Sequence, residues 1–203
     1  MVQETRQPVI LASSSLSRAK VLRSAGLKFD IIPAKVDEDG VKTTLRAEGA
    51  SAAQCAETLA ELKAVKVSQS HPRALIVGAD QMLECNGRWF DKPTSMEGVK
   101  THLLSLRGQT HTLATSVVVA LNGSRIWHHN AGPSLSMRNF TTNFLDEYIS
   151  EVGEVALSSV GAYQLEGRGV QLFDNIEGNF FTILGLPLLE LLSFLREHKV
   201  VTQ

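Results

Sequence analysis

Three consecutive serines, Ser13, Ser14 and Ser15, follow the apolar run Val9 to Ala12, and Ser17 and Arg18 come directly after them. Where a short buried strand hands over to a helix, two roles compete for such residues. A serine at the N-cap satisfies an orphan backbone N–H, and backbone N–H groups, hydroxyls and a guanidinium at a helix N-terminus hold a phosphate. Four charged residues elsewhere interrupt patterns that would otherwise read as core. Asp80 follows "ALIVGA" directly and is expected at the carboxyl end of a buried strand, where open α/β sheets bind ligands. Lys63 lies four residues after Leu59 and either snorkels to the edge of that helix face or points into a polar cleft. Lys92 precedes Pro93, which favours extended backbone, and returns past a hairpin toward the strand of Asp80. Glu38 sits in the acidic run Asp37 to Asp39, which reads equally as solvated loop. Together these supply two carboxylates, Glu38 and Asp80, to share a Mg²⁺ with substrate phosphates. Three cations, Arg18, Lys63 and Lys92, would neutralise a polyphosphate, and phosphoryl transfer asks a protein mainly for positioning and charge stabilisation.

The elements that must position these groups follow from periodicity and turn chemistry. Val9 to Ala12 reads as a strand, and Ser15 to Ala25 as a helix stopping at Gly26. "FDIIPAKVDED" looks extended. Ser51 and Gln54 have capping-box spacing, and Ala52, Cys55, Ala56, Leu59, Leu62 and Val65 form the apolar face of the helix that follows. "ALIVGADQMLE" is a buried strand, joined through Asn86-Gly87 to "RWFDKP", and Asn122-Gly123 makes a second hairpin between "HTLATSVVVAL" and "SRIWHHNAG". "MEGVKTHLLSLRG" and "TTNFLDEYISEV" read as helices, and "FFTIL" as a strand before Pro187 and a strongly apolar last helix. Strands interleaved with helices, plus two hairpins and no linker, imply one α/β domain over 1–203 with a mixed twisted sheet flanked by helices.

Composition narrows the classes. A 43% hydrophobic, 20% charged chain of 203 residues is an ordinary globular protein, and a net charge of −1 draws it neither to nucleic acid nor to anionic lipid. No apolar run reaches the ~20 residues a membrane span needs, and the N-terminus has no signal-peptide pattern, so the expected location is the cytoplasm. Cys55 and Cys85 lack metal-ligand spacing and are expected as reduced thiols. His128 and His129 would point to opposite faces of a strand, a poor zinc pair. Walker, dinucleotide-binding and nucleophile-elbow motifs are missing.

Six segments resemble, in order and spacing, the Maf family of nucleoside triphosphate pyrophosphatases: "LASSSLSR", "LAELKA", "VGADQ", "DKP", "GAYQLEGRG" and "EGNFFTILGLPL". The resemblance implies two lobes around a nucleotide cleft, often a homodimer, and metal-dependent hydrolysis between the α- and β-phosphates of noncanonical nucleotides. Ser13, Ser15, Ser17 and Arg18 would then bind substrate, Lys63 and Lys92 would stabilise phosphate charge, and Glu38 and Asp80 would hold Mg²⁺ or Mn²⁺. Asp80 would also activate the attacking water, directly or as a metal ligand. Two positions that separate the branches of the family, Gln81 and Glu166, resemble the 7-methyl-GTP branch rather than the dTTP and UTP branch. Ser17 matches neither, and the usual proline is replaced by Leu16. Without an aromatic at position 17, a stacking ring is expected from Tyr163, Trp89 or Phe90. A paired carboxylate such as Glu166 suits the N1–H and amino group of guanine. A dTTP/UTP pyrophosphatase is the alternative substrate class, and a non-catalytic nucleotide-binding regulator of cell division the alternative function.

Overall fold

The computed structural model describes residues 7–202. Its centre is an eight-stranded mixed sheet in the order β2-β1-β3-β5-β7-β8, with β4 and β6 attached beside β3 and β5. The strands are β1 Val9–Leu11, β2 Asp30–Ile31, β3 Leu75–Cys85, β4 Arg88–Phe90, β5 Thr110–Leu121, β6 Ser124–Ala131, β7 Ser134–Met137 and β8 Phe173–Glu177. Only β1 pairs in parallel, with β2 and β3; the rest is antiparallel. The helices are α1 Leu16–Ser24, α2 Glu38–Ala47, α3 Ala52–Ser70, α4 Met96–Leu106, α5 Thr142–Val152, α6 Phe180–Ile183 and α7 Leu188–Glu197. Two 3₁₀ segments, Gly153–Ser158 and Arg168–Leu172, flank the loop that carries Glu166.

Strand alternation divides the core. Val9, Leu11, Leu75 and Val77 face Leu22 of α1 and Leu191 and Leu195 of α7, whereas Ile10 and Ile76 face Ala60 and Ala64 of α3. At the other end of the sheet, Leu83 and Leu113 join Val99 and Leu103 of α4 and Tyr148 of α5 in a separate core. These are the two expected lobes. Both hairpins form at the Asn-Gly pairs, with positive φ at Asn86, Gly87, Asn122 and Gly123, the geometry that matches the right-handed twist of the flanking strands. Among the described residues, no helix is long and apolar enough to cross a membrane.

Three local expectations are corrected. Along α3, Ala52, Cys55, Ala56 and Leu59 are buried as expected, but the expected face drifts off the core at Leu62 and Val65. Leu62 is exposed, and the buried stripe runs instead through Ala60, Lys63, Ala64 and Val67. The acidic run is no loop: Asp37 caps α2 by accepting from the N–H of Gly40, and Glu38 is its first residue. "FFTI" is the short helix α6, capped by Asn179, and not a strand.

Candidate active site

The sheet changes partners at one place. Along β3, pairing with β1 runs only as far as Val77 and pairing with β4 starts only at Leu83, while β5 pairs along the other side from Ile76 to Glu84. Asp80 sits in the notch between, the sixth of the eleven residues of β3. It marks the carboxyl end of β1 and the middle of β3, not the end of its own strand as expected. The hydrophobic run stops at Ala79, but backbone pairing with β5 carries the strand onward.

Gly78 makes the next contact possible. A Cβ there would stand 2.2 Å from the carbonyl oxygen of Ala60 and 2.8 Å from the nitrogen of Ala64, so only a glycine lets α3 lie this close to β3. That approach carries Lys63 into the notch. Its Nζ donates to Asp80 Oδ1 at 2.7 Å and pairs with Glu38 Oε1 at 2.8 Å. Lys63 and Asp80 are each 6% exposed, whereas the Glu38 side chain is 41% exposed, so this ammonium compensates one buried carboxylate and one at the mouth of the cleft.

Opposite stands the serine turn. Ser15 caps α1 by accepting from the N–H of Arg18. Arg18 folds back, Nε donating to the Gly185 carbonyl at 2.8 Å and Nη1 to Ser13 Oγ at 3.1 Å. Burial lowers the pKa of Arg18, a tendency opposed by Asp80 and Glu38. Burial, and then Arg18, lowers that of Lys92. The sites face one another across a cleft of about 480 Å³ whose walls include Ser13, Ser15, Ser17, Arg18, Glu38, Lys63, Asp80, Gln81, Lys92 and Glu166. All ten residues singled out from the sequence are brought together.

Gln81 is held in one orientation. Its Nε2 lies 3.0 Å from the Thr182 carbonyl, 3.3 Å from that of Ile183 and 2.8 Å from Thr115 Oγ1. Carbonyls only accept, so the amide nitrogen faces α6 and the amide oxygen is left as an acceptor. The loop carrying Glu166 is pinned from below: Tyr148 donates to the Ala162 carbonyl at 3.2 Å, and the Tyr163 hydroxyl meets His111 Nε2 at 2.7 Å.

The expected stacking rings are placed differently. Phe90 lies in the core against His102, and Trp89 sits beneath Arg46; neither lines the cleft. Tyr163 does, but is 4% exposed with its hydroxyl committed to His111. Cys55 and Cys85 are buried free thiols. Two charged wall residues were missed, Lys42 and Asp91, paired at 2.6 Å. Lys42 is one helical turn beyond Glu38, and Asp91 immediately precedes Lys92, so recognising α2 would have exposed the pair.

An α/β sheet notched at its parallel edge, with paired carboxylates facing clustered cations, is an architecture for handling phosphates. The Maf-like protein family model matches residues 8–198, and the chain belongs to that family. It is 53% identical to a nucleoside triphosphate pyrophosphatase of Granulibacter bethesdensis over 96% of this chain and 98% of that one. It is 50% identical to the enzyme of the same name from Caulobacter vibrioides, with 96% and 98% covered. A 7-methyl-GTP pyrophosphatase of Brucella abortus is 43% identical, over 95% of this chain and 97% of the relative.

Proposed function

We propose that this protein is a nucleoside triphosphate pyrophosphatase that hydrolyses the α–β anhydride of a guanine nucleotide of the 7-methyl-GTP type, with a divalent cation. The observation that carries the proposal is the buried Lys63–Asp80 pair, joined by Glu38, facing Arg18 and Lys92 in one cleft; the relatives' names support the reaction class. Ser13, Ser15, Ser17 and Arg18 bind the phosphates at the start of α1, and Lys63 and Lys92 offset the charge that gathers on the departing pyrophosphate. Lys63 engages only Oδ1 of Asp80, which leaves Oδ2 to take a proton from the attacking water. Water adds its oxygen to the α-phosphorus, the bond to the bridging oxygen breaks, and pyrophosphate leaves with that electron pair. The products are the nucleoside monophosphate, pyrophosphate and one proton.

The residues fit a divalent metal. Glu38 and Asp80 already share one cation, the Lys63 ammonium, and hard carboxylate oxygens suit Mg²⁺ or Mn²⁺ completed by phosphate and water. Among the described residues no third Asp, Glu, His or Cys joins them, which suits an ion held jointly with the substrate. When bound, it would supply Lewis-acid charge neutralisation at the phosphates.

The base preference rests on two acceptors, the Gln81 amide oxygen and the Glu166 carboxylate. Guanine offers N1–H and an amino group to such a pair, while uracil and thymine offer one N–H between two carbonyls that would be repelled. The test is pyrophosphate release from 7-methyl-GTP, GTP, UTP and dTTP with Mg²⁺ and with Mn²⁺. The expected result is release with 7-methyl-GTP preferred. A preference for dTTP or UTP would overturn the base assignment, and binding with no release from any nucleotide would replace the enzyme by a regulator.

A further inference from the structure

Successive residues of β3 send the two ends of the cleft to opposite faces of the sheet. The Gln81 amide reaches the Thr182 and Ile183 carbonyls of α6, while Asp80 reaches Lys63 of α3 and, through it, Glu38 of α2. A nucleotide whose base is read at Gln81 and whose α-phosphorus stands at Asp80 therefore extends its remaining phosphates toward α2. Among the described residues, four cations line the cleft: Arg18, Lys42, Lys63 and Lys92. Arg18 already donates to Gly185 and Ser13, and Lys63 holds Glu38 and Asp80.

Lys42 is placed differently. It lies one helical turn beyond Glu38 on the same side of α2, and its ammonium pairs at 2.6 Å with Asp91, the residue before Lys92. Burial works against the charge of Lys42, but Asp91, and then Asp80 and Glu38, outweigh it and raise its pKa. The ammonium thus lies in the field of both notch carboxylates. Its present partner is easily exchanged, since the Asp91 side chain is 55% exposed, against 9% for the Asp80 side chain beside Lys63. A pair with one partner in water contributes little, and a multiply charged phosphate is the stronger acceptor. The helix keeps a second tie to the same strand, because Arg46, one turn further on, lies over the Trp89 ring at 4.9 Å.

We propose that Lys42 is a ligand of the departing pyrophosphate, held by Asp91 until the β- and γ-phosphates of the substrate displace that carboxylate. The assignment rests on the pyrophosphatase reading and extends it to how the site tells a triphosphate from its monophosphate product. Asp91 is then a competitor of the phosphates for one ammonium, and the two members of the pair affect binding in opposite directions.

The test uses Lys42→Met, Asp91→Asn and the double variant in the full chain, with binding of inorganic pyrophosphate and of 7-methyl-GMP measured by calorimetry in Mg²⁺. Lys42→Met keeps the aliphatic stem and weakens pyrophosphate binding by roughly ten-fold, while 7-methyl-GMP binds as in the wild type. Asp91→Asn tightens pyrophosphate binding by about two- to five-fold, and the gain is absent from the double variant. A pair that only clasped α2 to β4 would be broken equally from either side, so weaker binding in both single variants overturns the assignment. Unchanged pyrophosphate affinity in Lys42→Met overturns it as well, and so does a gain from Asp91→Asn that persists in the double variant. If this pattern holds in a protein that releases no pyrophosphate from any nucleotide, Lys42 stands as a phosphate ligand and the pyrophosphatase reading alone fails.

Discussion

Replacing Gly78 by alanine tests whether the close approach of α3 to β3 builds the site. The new Cβ would stand 2.2 Å from the Ala60 carbonyl oxygen, 2.8 Å from the Ala64 nitrogen and 2.9 Å from the Ala64 Cβ. Two of these atoms are backbone, so no rotamer change relieves the contact and the helix must withdraw by about 1 Å to restore ordinary packing. Lys63 withdraws with it, and a 2.7 Å bond to Asp80 lengthened by that amount passes beyond hydrogen-bond range. Overpacking of this kind costs about 2–3 kcal/mol, which for a chain this size lowers Tm by about 4–12 °C. Thermal melting measures the first effect. Pyrophosphate release, assayed well below the variant's Tm, measures the second, and kcat/KM is expected to fall by about ten-fold or more because both carboxylates lose a well-placed counter-cation. A Gly78→Ala protein with unchanged Tm and unchanged kcat/KM would refute the inference that this contact positions Lys63.

Two further outcomes follow from buried charge. Burial pushes His111 down from its ordinary 6.5 to about 4, so the unfolded chain binds a proton between those values that the folded one does not. Stability is therefore lost as pH falls from about 6.5 to 4, by at most about 3 kcal/mol, and His111→Gln should flatten that part of a urea-denaturation pH series; an identical pH dependence would contradict it. Lys63→Met removes the ammonium between Glu38 and Asp80, so Mn²⁺ titrated into the nucleotide-free variant should bind about ten-fold tighter than in the wild type and raise its Tm. Equal affinity in the two proteins would show that Lys63 does not occupy the cation's place.

Much of the site was legible because its local chemistry is unambiguous. The serine turn caps α1 as its spacing requires, Ser51 and Gln54 form the full capping box, and both Asn-Gly pairs turn hairpins. The failures have separate physical causes. Helix α2 buries no residue completely, and its apolar side is only Val41 and Leu45, packed half-buried against the core, too short a stripe to stand out. Aromatic and β-branched residues made "FFTI" look like a strand, yet the Asn179 cap and the tight return to Gly185 wind it into a single turn. Ala52, Cys55, Ala56 and Leu59 of α3 are buried as expected, whereas Leu62 and Val65 do not turn fully into the core. Small Ala60 and Ala64 do so instead, since Gly78 allows near-backbone contact. The notch around Asp80 depends on where β1 ends and β4 begins, a fact of strand pairing that side-chain periodicity along β3 does not carry.

The most direct test of the central claim is Asp80→Asn, which keeps the shape of the side chain and removes its charge. Turnover of 7-methyl-GTP and binding of its non-hydrolysable α,β-methylene analogue would be measured on the same folded preparation. With Asp80 as the group that takes the proton from water, kcat falls by about a hundred-fold or more while the analogue still binds at the cleft formed by Ser13, Arg18 and Lys92. A variant that turns over at the wild-type rate would contradict the assignment of the reaction to this notch.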